Sequence, residues 1–173
     1  MKLQFPNPIK TQSVNIDDNV KKYDISSLEY KEGEINKNIA NFIKSEINST
    51  FNINDYIIEG SSEVIRFVYA PNQVKTENSY TAFVKEGKVE KLFSYISEDF
   101  NSLNEKISKV KKLTLVQEQE IKNEIVSKSN ESEKYIIDGE NYWFKNDKLE
   151  YDVLYNIETE KGIYAENVTH IVE

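Results

Sequence analysis

Residues 56–60 read Tyr-Ile-Ile-Glu-Gly, and residues 135–139 read Tyr-Ile-Ile-Asp-Gly. An aliphatic pair followed by an acid and a glycine predicts a strand ending at a corner, because glycine turns the chain at no steric cost. The surroundings are alike in both places. Ile35, Ile39, Phe42, Ile43 and Ile47 fall on one face of a helix over 34–48. Downstream, "EVIRFVYA", "SYTAFVKEG" and "KVEKLFSYI" are rich in β-branched and aromatic residues and bounded by Gly, Pro and Asn, as strands are. Gly87 marks a tight turn between the last two. In the second half, helical spacing runs from Ser97 to Ser129 in two pieces. One aligns Phe100, Leu103, Ile107 and Val110. The other carries Leu115, Ile121, Ile125 and Val126 behind Thr114 as N-cap. After the second motif, Leu149, Tyr151, Val153, Tyr155 and Ile157 alternate with polar residues, the pattern of a half-buried antiparallel strand. The order helix, motif, strands therefore occurs twice, as expected of one module used twice.

The expected fold is α+β: two tandem helix-plus-antiparallel-sheet modules, with helices packed on one face of each sheet. The first module spans 23–97 and the second 98–173, and one compact domain holding both is the alternative. Residues 1–22, with Pro6 and Pro8, read as an extended N-terminal arm, or else as an edge strand through Val14 and Ile16.

Charge and missing residue types narrow the function classes. The chain has a net charge of −8, and Arg66 is its only arginine, so the clustered cations that grip phosphate are lacking and nucleic acid is not an expected partner. There is no cysteine, which removes disulfides, thiolate metal sites and cysteine nucleophiles. The single histidine, His170, lies on an alternating segment and offers no partnered base, and His/Cys zinc sites cannot be built from it. The five glycines are too scattered for any phosphate loop. No catalytic residue, cofactor or metal is expected, although pairs among the thirty acids stay open for carboxylate chemistry. No run approaches the roughly 20 apolar residues that span a bilayer. Membrane attachment is expected only through a lipid anchor upstream of this sequence.

Partner-contact candidates come from two places. Tyr135, Tyr142, Trp143, Phe144, Tyr151, Tyr155 and Tyr164 crowd the C-terminal half. Filling a thin helix-on-sheet core is the favoured use of such residues, and an aromatic face for peptide or sugar is the other. Trp143 is the first candidate for that face, because it lies opposite Tyr142 and Phe144 on its strand; Tyr142 and Tyr155 accompany it. The second place is the loop "APNQVKTEN" at 70–78, with Val74 and Lys75 at its centre, the candidate for a segment inserted into an enzyme cleft.

A helix followed by an antiparallel meander with the hairpin "SYTAFVKEGKVEKL" resembles the PepSY-type domain, the matching residues being Tyr80, Val84, Gly87, Lys88 and Val89. The resemblance covers two tandem copies, 34–96 and 114–172. It implies a non-catalytic, secreted or surface-anchored module of the kind found in protease propeptides and small bacterial lipoproteins. The resulting expectation is an extracytoplasmic lipoprotein ectodomain that binds protein or peptide, with exposed strand edges offering β-augmentation. The alternatives are a protease inhibitor or propeptide-like chaperone, and a cytoplasmic acidic immunity or regulatory protein.

Overall fold

A computed structural model describes residues 13–15, 18–25 and 33–173. Pro6, Pro8 and Ile16 lie outside these residues. In chain order the elements are β1 (Ser13–Asn15), β2 (Val20–Asp24), α1 (Ile35–Phe42), β3 (Tyr56–Gly60), β4 (Val64–Tyr69), β5 (Val74–Lys75), β6 (Ser79–Lys85) and β7 (Lys88–Tyr95). Then follow α2 (Phe100–Lys109), α3 (Leu115–Val126), β8 (Glu133–Lys145), β9 (Lys148–Thr159) and β10 (Gly162–Val172). The fold is α+β. It divides into a first unit that runs to Pro71 and resumes at Thr76–Phe100, and a second of Asn72–Lys75 with Asn101–Glu173.

The first unit is an antiparallel sheet in the order β1-β2-β7-β6-β4-β3. Val20–Lys22, read from sequence as part of an arm, are ladder residues paired with Phe93–Tyr95. The helix lies where its apolar face requires. Ile39 and Ile43 are fully buried, with Ile35, Phe42 and Ile47 packed against the same core, and the last turn, Ile43–Ile47, widens to a π-helix. Their counterparts are the inward-facing Ile65, Phe67, Tyr80, Ala82 and Leu92 of the sheet. Phe51 joins the two layers, stacked on Tyr56 at 4.4 Å and edge-on to Tyr80 at 5.8 Å. Buried Asn78 holds the end of the sheet to the chain that leads into α2. Its Oδ1 accepts from Ser97 N at 2.9 Å, and its Nδ2 donates to Glu98 O at 2.7 Å.

The second unit is a mixed sheet in the order β10-β9-β8-β5, in which β5 pairs with β8 in parallel and the rest is antiparallel. The two expected helical pieces are α2 and α3. Thr114 caps α3 in a reciprocal box with Gln117. The expected apolar face of α3 is corrected, because Ile125 alone is buried on that helix, while Leu115 and Val126 are exposed. The turns between β6 and β7 and between β8 and β9 place consecutive residues at positive φ, Glu86 (51°) with Gly87 (73°) and Asn146 (51°) with Asp147 (60°), as the twist of a two-residue connection demands. No helix among the described residues is long and apolar enough to cross a membrane.

The repeated motif plays different parts in its two settings. Gly60 ends β3 at φ 110°, and the following Ser61–Glu63 carry the chain into β4, so the first copy is the expected corner. The second copy runs through the middle of β8. There a bulge lies between Ile137 and Gly139, leaving Asp138 unpaired, and the strand continues to Lys145. A Cβ on Gly60 would stand 2.1 Å from Val64 O, whereas one on Gly139 would meet Leu154 Cδ1 at an ordinary 3.5 Å. Gly60→Ala is therefore expected to lose at least about 2 kcal/mol of stability, and Gly139→Ala less than about 1 kcal/mol. Urea unfolding midpoints of the two variants check the difference; equal losses would contradict the two geometries.

Candidate functional site

The second sheet is unequally covered along its length. On one face its buried side chains are Val74 on β5, Tyr142 and Phe144 on β8, and Leu149, Tyr151 and Val153 on β9; on the other, Lys75 is buried. Cross-strand register explains the cluster: Val74 stands beside Tyr142, Tyr142 opposite Tyr151, and Phe144 opposite Leu149. Alternation puts all six on one face. From Glu133 to Asn141, from Leu154 to Thr159, and along all of β10, no side chain is fully buried.

Polar groups attach α3 to the covered end. Tyr142 OH donates to Glu118 Oε1 at 2.7 Å, and Lys122 Nζ reaches Glu140 Oε2 at 2.6 Å. Tyr151 OH donates to the same oxygen of Glu140. Lys112 Nζ lies 5.0 Å from the centre of the Tyr142 ring and donates to Asn72 O at 2.7 Å. Glu140 is held below the ordinary carboxylate range, first by the hydrogen bond from Lys122 and then by that from Tyr151. Tyr142 and Tyr151 are pushed above the ordinary tyrosine range by burial, and further by their carboxylate partners. The carboxylate stays ionised and the phenols stay neutral near neutral pH. Such a network suits a clamp, because acid–base chemistry needs a group poised to change state there.

The partner-contact candidates from sequence separate once placed. Val74 and Lys75 are not on a free loop. They form the parallel strand β5 against Tyr142–Trp143 and are 1% and 7% exposed, and Thr76 and Asn78 beyond them are buried. The expectation of an insertable loop at 70–78 is corrected accordingly. Asn72 and Gln73, both at positive φ, turn the chain into this strand, a bend that sequence patterning did not predict. Tyr142 is a core residue. Trp143 does face away from it and is half-buried, but its ring already has Lys145 Nζ at 4.4 Å and Lys75 Nζ at 5.3 Å from its centre. On the same face Asp152 has a buried Oδ1 with no hydrogen bond. Tyr155 is half-buried at the thin end, stacked on Tyr135 with centroids 5.8 Å apart. His170 is on β10 opposite Tyr151.

What sequence reasoning missed is β10 itself as a surface. It is an eleven-residue strand at the end of the strand order and, among the described residues, pairs only with β9. Ile163, Tyr164 and Ile171 on it are 67%, 51% and 56% exposed. The other three sheet ends are short: three residues in β1, five in β3 and two in β5. Short edges resist unwanted pairing, and a long apolar one invites it. Among the described residues no cluster of three metal-ligating side chains occurs.

Opposite pH dependences follow from the clamp. Glu140 contributes stability above the unfolded-chain value of about 4.5, and loses it as pH falls through the lower folded value. Tyr142 and Tyr151 keep their protons when the unfolded chain releases them, so stability falls as pH rises above about 10. Melting temperatures across pH check both. Glu140→Gln is expected to flatten the acid decline, and Tyr151→Phe to reduce the alkaline one. Slopes identical to wild type would mean that the clamp is not made in solution.

No family model and no curated protein matches this chain.

Proposed function

We propose that the chain is a non-enzymatic binding module, working outside the cytoplasm, that takes a protein or peptide partner by extending its second sheet at β10. The observation that carries this reading is the length and openness of that edge. Along its eleven residues, alternate positions turn backbone donors and acceptors to a side that no described strand occupies, no proline interrupts them, and three large apolar side chains stand exposed among them. A partner strand laid there gains main-chain hydrogen bonds from the ladder and selectivity from alternate side chains. That no side chain of β10 is fully buried adds weight, since its side chains remain accessible along the whole edge.

The titrating groups point the same way. Glu140 is bonded to Lys122 and Tyr151, and the two buried tyrosines are kept protonated, which favours a fixed scaffold over a catalyst. The protease-inhibitor alternative loses its candidate segment, because Val74, Lys75, Thr76 and Asn78 are buried. The extracytoplasmic setting rests on the resemblance to PepSY-type domains, in which a helix leads into an antiparallel meander.

Two measurements test the reading. A photo-cross-linking residue at Ile163 or Ile171, introduced in the living source cell, is expected to give a discrete protein adduct. The same residue at Glu90, exposed on the first sheet, is expected to give none. No adduct at any β10 position would overturn binding at this edge. Mass spectrometry of the native N-terminus in separated membrane and cytosol is expected to find a lipid-modified cysteine upstream of this sequence. An unprocessed Met1 in the cytosol would overturn the extracytoplasmic setting.

A further inference from the structure

The edge strand matches itself when reversed. We infer that the partner at β10 is a second copy of this chain, paired antiparallel about a two-fold axis through Asn167. The inference rests on the edge-binding reading above and names its occupant.

In an antiparallel pair, residues directly opposite share a face, so a two-fold axis perpendicular to the sheet pairs residues at equal distances on either side of it. With the axis at Asn167, Ile163 stands opposite Ile171 of the second copy and Ala165 opposite Thr169 on one face. On the other face Tyr164 stands opposite His170 and Glu166 opposite Val168. At the flanks Lys161 meets Glu173, an opposite-charge pair, on each side of the axis. The two most exposed isoleucines of the strand thereby cover each other. Cross-strand pairs of this kind are what stabilise a sheet, and like charges directly opposite oppose it.

Neighbouring registers fit worse. Shifting the axis to Glu166 sets that carboxylate opposite its own copy. Shifting it to Val168 sets Ile163 opposite Glu173 and leaves Lys161 without a partner position in the strand. An axis midway between two residues, which shifts the pairing by one, would set side chains of opposite faces against each other and is barred by the pleat. The match therefore picks one register, which a foreign strand would have no reason to share. In that register two four-stranded sheets become one continuous sheet.

The chain has no cysteine, so single cysteines report pairing cleanly. Sedimentation of the whole chain over a concentration series is expected to show reversible dimerisation. Under mild oxidation, Asn167→Cys is expected to cross-link to itself faster than Val168→Cys or Glu166→Cys. Ile163→Lys with Ile171→Lys places like charges opposite each other and is expected to raise the dimer dissociation constant at least tenfold. Ile163→Lys with Ile171→Glu pairs opposite charges across the axis and is expected to restore it. A structural defect in the strand would not discriminate between these two variants. A dimer indifferent to both variants, or one in which Val168→Cys cross-links fastest, would overturn the assignment. A monomer at every concentration whose Ile163 probe still captures another protein in cells would overturn self-pairing and leave the edge reading standing. A monomer with no cellular adduct would remove both.

Discussion

The bond from Lys122 to Glu140, shared with Tyr151, decides where the second unit is solid. Helix α3 buries only Ile125 and leaves Leu115 and Val116 in water, so apolar contact alone does not fix its position. Most helices in proteins are held by an apolar face rather than by their own propensity. Here two carboxylates, a lysine and two tyrosine hydroxyls supply directional contacts that a sparse face lacks. A charge-assisted pair with a second donor on one oxygen fixes both the height and the rotation of the helix over β8 and β9. The ring beneath, Tyr142 on Tyr151 at 4.9 Å, supplies the apolar floor.

Because the clamp grips only one end, the remaining length of β8, β9 and β10 has no layer over it among the described residues. Tyr135, Ile137, Tyr155 and Ile157 are half-buried there and depend on one another across the strands. The bulge between Ile137 and Gly139 falls where the covered and uncovered parts meet. A bulge raises the local twist, and one at this point re-aims the ribbon relative to its clamped end. The first unit is organised in the opposite way. Its core reaches nearly the full width of the sheet and is lined by Ile25, Phe67, Ala82 and Leu92 in addition to the helix residues.

What could be read from sequence was local. The face of α1, the cap at Thr114, the turn at Gly87 and the alternation from Leu149 to Val153 each follow from spacing or backbone chemistry within a few residues, and each is present. The failures share a cause too. Two residues, Val74 and Lys75, carry no periodicity, and their partners Tyr142 and Trp143 lie far along the chain. The two Tyr-Ile-Ile-acid-Gly copies diverge because of what comes next. Polar Ser61-Ser62-Glu63 lets the first chain turn, whereas Tyr142 and Phe144 keep the second in its sheet. Which strand ends the sheet is a property of topology, so the site at β10 left no local mark beyond Ile163, Tyr164 and Ile171.

Folding and association are coupled along β10. A ribbon with one solvated edge and no covering layer is marginal, since sheets gain stability from a third or fourth strand and from apolar cover. Among the described residues β1, β3 and β5 are short edges, so the long edge of β10 is an exception within its own fold. An added strand would give β10 its missing hydrogen bonds, cover the isoleucines, and stiffen β9 through the ladder that runs its whole length. Whatever binds the folded ribbon and not the unfolded chain stabilises it in proportion to its occupancy. The clamp then has a second role: with α3 and the tyrosines holding β8 and β9 in register, the edge at β10 is presented ready-made, and little ordering cost remains for the partner to offset.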